Sequence, residues 1–246
     1  MTIRVAVSGA SGRLGRVVVE EIEAAPGLLL HAAMTSRSAP EQMLGAEVLV
    51  DATLPEVSEG LVRFALEHGL NAVIGTSGWD EARIRSLRRE LPAGRGALVV
   101  PNFSLASVLA SHLAVLAAEW LDRVEIVEAH HESKADAPSG TAVRTAERLG
   151  RVLAGRGGPA AADDGEPAAR GQEVAGVRVH SLRLPGVVAE QRVLLGGRGE
   201  VLEIRHETLS SEAYRPGIRA AIQAAPGLQG VVVGLAGVLG LPAEEG

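Results

Sequence analysis

Through its first hundred residues the chain alternates brief apolar runs with amphipathic ones, and few architectures accommodate that rhythm. Residues 3–7, 28–34, 47–52, 72–75 and 97–100 read as strands, each short and rich in Val, Leu, Ile and Ala. Between them, 14–25 places Val17, Val18 and Ile22 on one helical face. Pro55 opens a second helix that turns Leu61, Val62, Ala65 and Leu66 inward and stops at Gly69. Residues 80–91 make an Arg-rich surface helix. Strands apolar on both faces need cover on both sides, which helices crossing over a parallel sheet supply. The expected class is α/β, with an N-terminal doubly wound sheet of the Rossmann type.

The rhythm changes after Asn102. Residues 105–121 predict one long apolar helix, 124–129 a strand and 141–153 another helix. Three strand-like runs follow at 177–184, 191–195 and 201–207, separated by Gly-containing turns that suggest antiparallel pairing. These predict a C-terminal α+β domain built on a mixed sheet. Residues 155–171 are Gly, Ala, Pro and Asp without periodicity and read as a mobile loop with no assigned role. A closing helix at 212–225 could pack on either domain.

Composition narrows the function. The 246 residues are 46% hydrophobic and 22% charged, with a net charge of −6, which argues against nucleic acid and anionic membranes as partners. There is no cysteine, so disulfides and thiolate metal sites are excluded. The N-terminus runs straight into a strand pattern with no signal-peptide core. The apolar stretch at 231–241 is broken by Gly234, Gly237 and Gly240 and falls short of the about 20 residues a membrane span needs. A cytoplasmic protein is expected.

Gly9-Ala10-Ser11-Gly12-Arg13-Leu14-Gly15 follows the first strand and opens the first helix. Glycines permit a tight turn and close approach to a pyrophosphate, and the helix start offers unpaired N–H groups. The spacing is G-x-x-G-x-x-G rather than G-x-G-x-x-G. NAD sites usually place an acid after the second strand, to hold the adenosine ribose. Here the chain reads Thr35-Ser36-Arg37, hydroxyls and a guanidinium suited to a 2′-phosphate, so NADPH is expected to be preferred, with NADH possible.

The densest chemistry lies in Glu128-Ala129-His130-His131-Glu132-Ser133-Lys134-Ala135-Asp136-Ala137-Pro138-Ser139-Gly140-Thr141. Lys134 is the only lysine among 24 basic residues, and two of the seven histidines lie beside it. A chain that otherwise uses arginine throughout keeps here a compact ammonium, which a planar guanidinium does not replace. His130 has the pKa range of a general acid near neutrality. Gly140 and Thr141, at a helix start, can offer backbone N–H groups to a carboxylate. Adjacent histidines on a strand point to opposite faces, so no metal site is expected.

The segment Glu128 to Ala142, E-A-H-H-x-x-K-x-D-A-P-S-G-T-A, resembles the signature of the dihydrodipicolinate reductase family. The likeness extends over nearly the whole chain, through Asp51-Ala52-Thr53, Gly75-Thr76-Ser77-Gly78, Asn102-Phe103-Ser104, His180 to Gly186 and Ile204-Arg205-His206. It implies NAD(P)H-dependent reduction of a cyclic dicarboxylate imine on the path to diaminopimelate and lysine, with hydride delivered to C4. It further implies His130 as proton donor, Lys134 as second catalytic group, and His131, Gly140 and Thr141 as substrate-carboxylate contacts. Cofactor contacts carry over to Gly9, Ala10, Ser11, Gly12, Arg13 and Leu14, to Gly75, Thr76 and Ser77, and to Val100, Pro101, Asn102 and Phe103. By the same likeness the protein is a homotetramer. Residues 1–101 and 212–246 then form the dinucleotide domain, and 102–211 the substrate-binding and oligomerisation domain. The loop at 38–47 is shorter than in many members, and Thr35-Ser36-Arg37 lacks the acid that some carry. Two other readings are an aspartate- or homoserine-dehydrogenase-like enzyme and a non-catalytic NADP(H) sensor. Neither needs His130, His131 and Lys134 together.

Overall fold

Apolar runs and amphipathic helices alternate in space as they do in sequence. The computed structural model describes residues 2–157 and 168–241. The chain runs β1 (Ile3–Ser8), α1 (Arg13–Ala24), β2 (Leu28–Met34), β3 (Val48–Asp51), α2 (Pro55–Glu67), β4 (Asn71–Ile74), α3 (Glu81–Glu90) and β5 (Gly96–Val99). It continues through α4 (Leu105–Ala118), β6 (Arg123–His130), α5 (Gly140–Gly155), β7 (Gln172–Val174), β8 (Val177–Arg183), β9 (Ala189–Gly197) and β10 (Glu200–Thr208). It closes with α6 (Arg215–Ala224) and β11 (Gly230–Val233). Two units result: Met1–Leu105 with Ser211–Gly246, and Ala106–Ser210.

In the first unit the strands order β11-β5-β4-β3-β1-β2, every pairing parallel. Strands β3, β4 and β5 are buried along their whole length, which is why they read as continuous apolar runs. No strand is expected from the sequence beyond 225, yet β11 pairs with β5 from Gly230 to Val233. Helix α6 is tied to α1 by Glu21, 1% exposed, which accepts from Arg215 Nε at 3.0 Å and Arg219 Nε at 2.6 Å. A buried carboxylate needs such partners, so the charge fixes where the C-terminal segment docks.

The second unit stacks α4 and α5 on one face of a sheet ordered β10-β9-β6-β8-β7. Its core is Ala114 and Ala118 of α4, Ala142, Ala146 and Leu149 of α5, and Ile126, Val179, Val193 and Leu195 of the strands. The expectation of antiparallel pairing among the three C-terminal runs needs correction. β9 and β10 do pair antiparallel, but β6 lies between β8 and β9 and runs parallel to β8. The residues 184–188 are long enough to carry the chain across β6, so adjacency in sequence did not make a hairpin. The short β7 was also unexpected; it begins where the stretch at 155–171 ends, and of that stretch 158–167 lie outside the described residues.

The first turn of α6 passes so close to the backbone after β5 that a Cβ on Gly217 would lie 1.9 Å from the Phe103 carbonyl oxygen. Gly217→Ala is therefore expected to cost about 1–3 kcal/mol through overpacking. The melting temperature should fall by several degrees. An unchanged melting curve would contradict the close packing.

Candidate functional site

The strand order of the first unit reverses between β1 and β3, and ligands of such sheets bind outside the carboxyl ends of the strands at that switch. The turn after β1 occupies it. Gly9 has φ 77°, and a Cβ there would lie 2.2 Å from the Ala52 carbonyl oxygen at the end of β3. Gly12 donates to the Gly9 carbonyl at 2.9 Å, and a Cβ on Gly15 would meet the same oxygen at 2.0 Å. Helix α1 therefore starts with a glycine N-cap and no side chain capping its first N–H groups. An uncapped helix start behind a turn with no room for a side chain at Gly9 or Gly15 fits the pyrophosphate of a dinucleotide.

Other expected cofactor residues gather at the same edge. The Ala10 N–H donates to the Met34 carbonyl, which places the turn beside Thr35, Ser36 and Arg37. There Ser38 and Thr35 accept from the Thr35 and Arg37 N–H groups, while Ser36 and Arg37 are exposed. The backbone of Gly75 is covered by the Leu14 and Phe103 side chains, so three separated segments meet. Val100 and Thr76 are turned inward: Val100 is buried, and the Thr76 hydroxyl donates to Asp51, so each presents mainly backbone to this edge.

In the second unit the chemistry is built on the end of β6. A strand brings residues two apart to one face, so Glu128 and His130 lie side by side. His130 Nδ1 and Glu128 Oε2 are 2.5 Å apart. Glu128 is 0% exposed; it also accepts from Arg183 through both terminal nitrogens, at 3.1 and 3.0 Å, and from the Ser139 N–H. Burial pushes its carboxyl up, but the bonds from His130, Arg183 and Ser181 and the His130 charge outweigh this and hold it at about 2. An ionised carboxylate only accepts, so Nδ1 carries the proton and Nε2 is left to exchange one with a ligand.

The loop after β6 is held to this cluster. Arg183 donates to the carbonyls of Lys134 and Asp136, and Leu184 N–H to that of His130. Lys134 Nζ is bound by both Asp136 oxygens, at 2.6 and 2.9 Å, with the ammonium 23% and the carboxylate 58% exposed. His131 Nδ1 lies 2.8 Å from the Ser133 hydroxyl, beyond the strand end. Ser139 caps α5 by accepting from the Ala142 N–H, and its carbonyl takes the Val143 N–H. The Gly140 and Thr141 N–H groups have no partner among the described residues, so this helix start has two donors left for an anion.

Comparison with known proteins is consistent across both units. Residues 3–103 match the family model "Dihydrodipicolinate reductase, N-terminus" and residues 102–239 match "Dihydrodipicolinate reductase, C-terminus". The chain belongs to the dihydrodipicolinate reductase family. It is 49% identical to the 4-hydroxy-tetrahydrodipicolinate reductase of Clavibacter sepedonicus, over 96% of this chain and 85% of that one. It is 44% identical to the same enzyme of Thermobifida fusca, over 97% of this chain and 100% of that one. Among solved structures it resembles a dipicolinate-bound dihydrodipicolinate reductase from Paenisporosarcina sp. TG-14, with a TM-score of 0.79 and 27% identity. That likeness covers 96% of this chain and 99% of that one.

Two members of the β6 cluster had no role assigned from sequence. Glu128 was readable in principle, since it precedes His130 by two on a strand. Arg183 was not, because its place beside His130 depends on the parallel pairing of β6 with β8. The low carboxyl value of Glu128 has a consequence for stability. A carboxyl lowered from 4.5 to about 2 stabilises the fold fully above pH 4.5 and loses that contribution as pH falls toward 2. The stability gap between the protein and its Glu128→Gln variant, from urea unfolding, should be constant above pH 5 and shrink below 4.5. A gap that stays flat to pH 2 would contradict the assignment.

Proposed function

We propose that the chain catalyses NAD(P)H-dependent reduction of 4-hydroxy-tetrahydrodipicolinate to tetrahydrodipicolinate, in the cytoplasm, for diaminopimelate and lysine synthesis. The observation that carries this reading is the β6 cluster. One short segment supplies a carboxylate-held histidine, the sole lysine and two unpaired N–H groups at a capped helix start. A proton donor beside cationic and amide anion-binding groups suits a dicarboxylate whose ring is reduced. The dinucleotide, held by the Gly9 to Leu14 turn and the segments at 75–77 and 100–103, supplies hydride.

Each residue then has a definite task. Gly140 and Thr141 N–H groups and His131 orient one substrate carboxylate, and Lys134 adds positive charge as it exchanges Asp136 for that carboxylate. Loss of the 4-hydroxyl as water, with a hydrogen from the neighbouring carbon, leaves the conjugated ring; once C4 has received hydride, His130 Nε2 delivers a proton to that neighbouring carbon. Glu128 stabilises the charged imidazole before transfer and fixes its tautomer, as buried acids do for catalytic histidines. Residues 106–210 are the substrate-binding unit. Arg37, with Ser36 and Thr35, favours the 2′-phosphate of NADPH over NADH. The protein assembles as a homotetramer through the second unit, where among the described residues α4 and α5 pack on one face of the sheet.

Loss of nicotinamide absorbance, measured with substrate freshly made from aspartate semialdehyde and pyruvate, tests the reading. Turnover is expected with both cofactors and faster with NADPH; Arg37→Ala should erase most of that preference while sparing the NADH rate. His130→Ala and Lys134→Ala should each lose about 10²–10³ in turnover with cofactor binding retained. Lys134→Arg should lose nearly as much, because the guanidinium does not reproduce a point ammonium. Cofactor binding without oxidation by the unaltered protein would contradict the proposal.

A further inference from the structure

We propose that Asp51 is a positioning residue of the dinucleotide site, a buried carboxylate that holds the ends of β1, β3 and β4 in the geometry that receives the cofactor. The inference rests on the dinucleotide reading given above. Asp51 is the last residue of β3 and pairs in register with Ser8 of β1 and Ile74 of β4, so it sits at the switch point of the sheet. It is 0% exposed.

Every partner the structure gives this carboxylate is a hydroxyl. Oδ1 accepts from Ser8 at 2.8 Å and Thr53 at 2.7 Å; Oδ2 accepts from Thr76 at 2.6 Å and from Ser58 in the first turn of α2. The direction of the last two bonds is forced. The Trp79 indole N–H donates to the Ser58 hydroxyl at 2.8 Å, and the Thr53 N–H donates to that of Thr76 at 2.8 Å. Both donors lack any acceptor capacity, so Ser58 and Thr76 must aim their protons at Oδ2. Charge-assisted bonds of this kind are roughly twice as strong as neutral ones.

These bonds reach two of the segments assigned to the cofactor. Ser8 leads into Gly9, whose backbone rests on the Ala52 carbonyl next to Asp51. Thr76 lies between Gly75 and Ser77. Asp51, Ser8 and Ser58 are too deeply buried to touch a ligand, so their effect on binding passes through the loop backbones. Asn at position 51 would keep the shape but present an amide to two hydroxyls that now donate.

The test is titration calorimetry of NADPH and NADH at 20 °C, with circular dichroism to confirm folding and kcat measured at saturating cofactor. Asp51→Asn and Ser58→Ala should each raise the dinucleotide Kd roughly tenfold while kcat stays within about threefold. Thr76→Val should weaken binding similarly, and Thr76→Ser, which keeps the hydroxyl, should restore it. A purely structural role would lower the melting temperature and leave the Kd of the folded variants unchanged. Unchanged Kd in Ser58→Ala and Thr76→Val would overturn the inference even if Asp51→Asn failed to fold. Failure of the unaltered protein to bind either dinucleotide would overturn the dinucleotide reading with it.

Discussion

Taking a carboxylate out of water costs several kcal/mol unless its lone pairs find donors, and much of this chain is arranged around meeting that requirement. Glu128 is the clearest case. Its two oxygens take bonds from His130, Arg183 and the Ser139 N–H, which joins the end of β6, the end of β8 and the cap of α5. Arg183 then reaches on to the carbonyls that frame Lys134 and Asp136. Removing the Glu128 charge would leave a half-buried guanidinium and an imidazole without its carboxylate partner. Structure and chemistry depend here on the same bonds.

The first unit handles its buried charges differently. Glu21 is neutralised by two arginines because it joins two helices across a surface they can reach. Asp51 lies too deep for long cations and is met by short hydroxyl side chains instead, which keeps the edge above it clear. The use of arginine nearly everywhere gives Lys134 its significance: guanidiniums brace the loops, and the single ammonium stands among the groups that could meet an anion.

Periodicity carried most of the fold. The runs at 28–34 and 72–75, and the helix opened by Pro55, appear within a residue or two of the expected limits, because strand burial and helix faces are local properties. The order of β6, β8 and β9 was not legible, since pairing depends on which edge of β6 is taken first. Nor was β11, whose four residues form a strand only because β5 offers a parallel edge. At the candidate site the same division holds. His130, Lys134, Gly140 and Thr141 stand out by residue type and sequence context, whereas Arg183 enters through register. Thr76 and Val100 were expected at the cofactor edge, and only the three-dimensional arrangement reveals that their side chains turn away from it.

The proposed reaction turns on one new bond, from hydrogen of the nicotinamide to ring carbon C4 of the substrate. The most direct test is turnover with NADPH deuterated at both C4 positions, followed by NMR of the product. Deuterium at C4 of tetrahydrodipicolinate, with solvent hydrogen on the neighbouring carbon, is the predicted result. A product without deuterium at C4 would contradict the account.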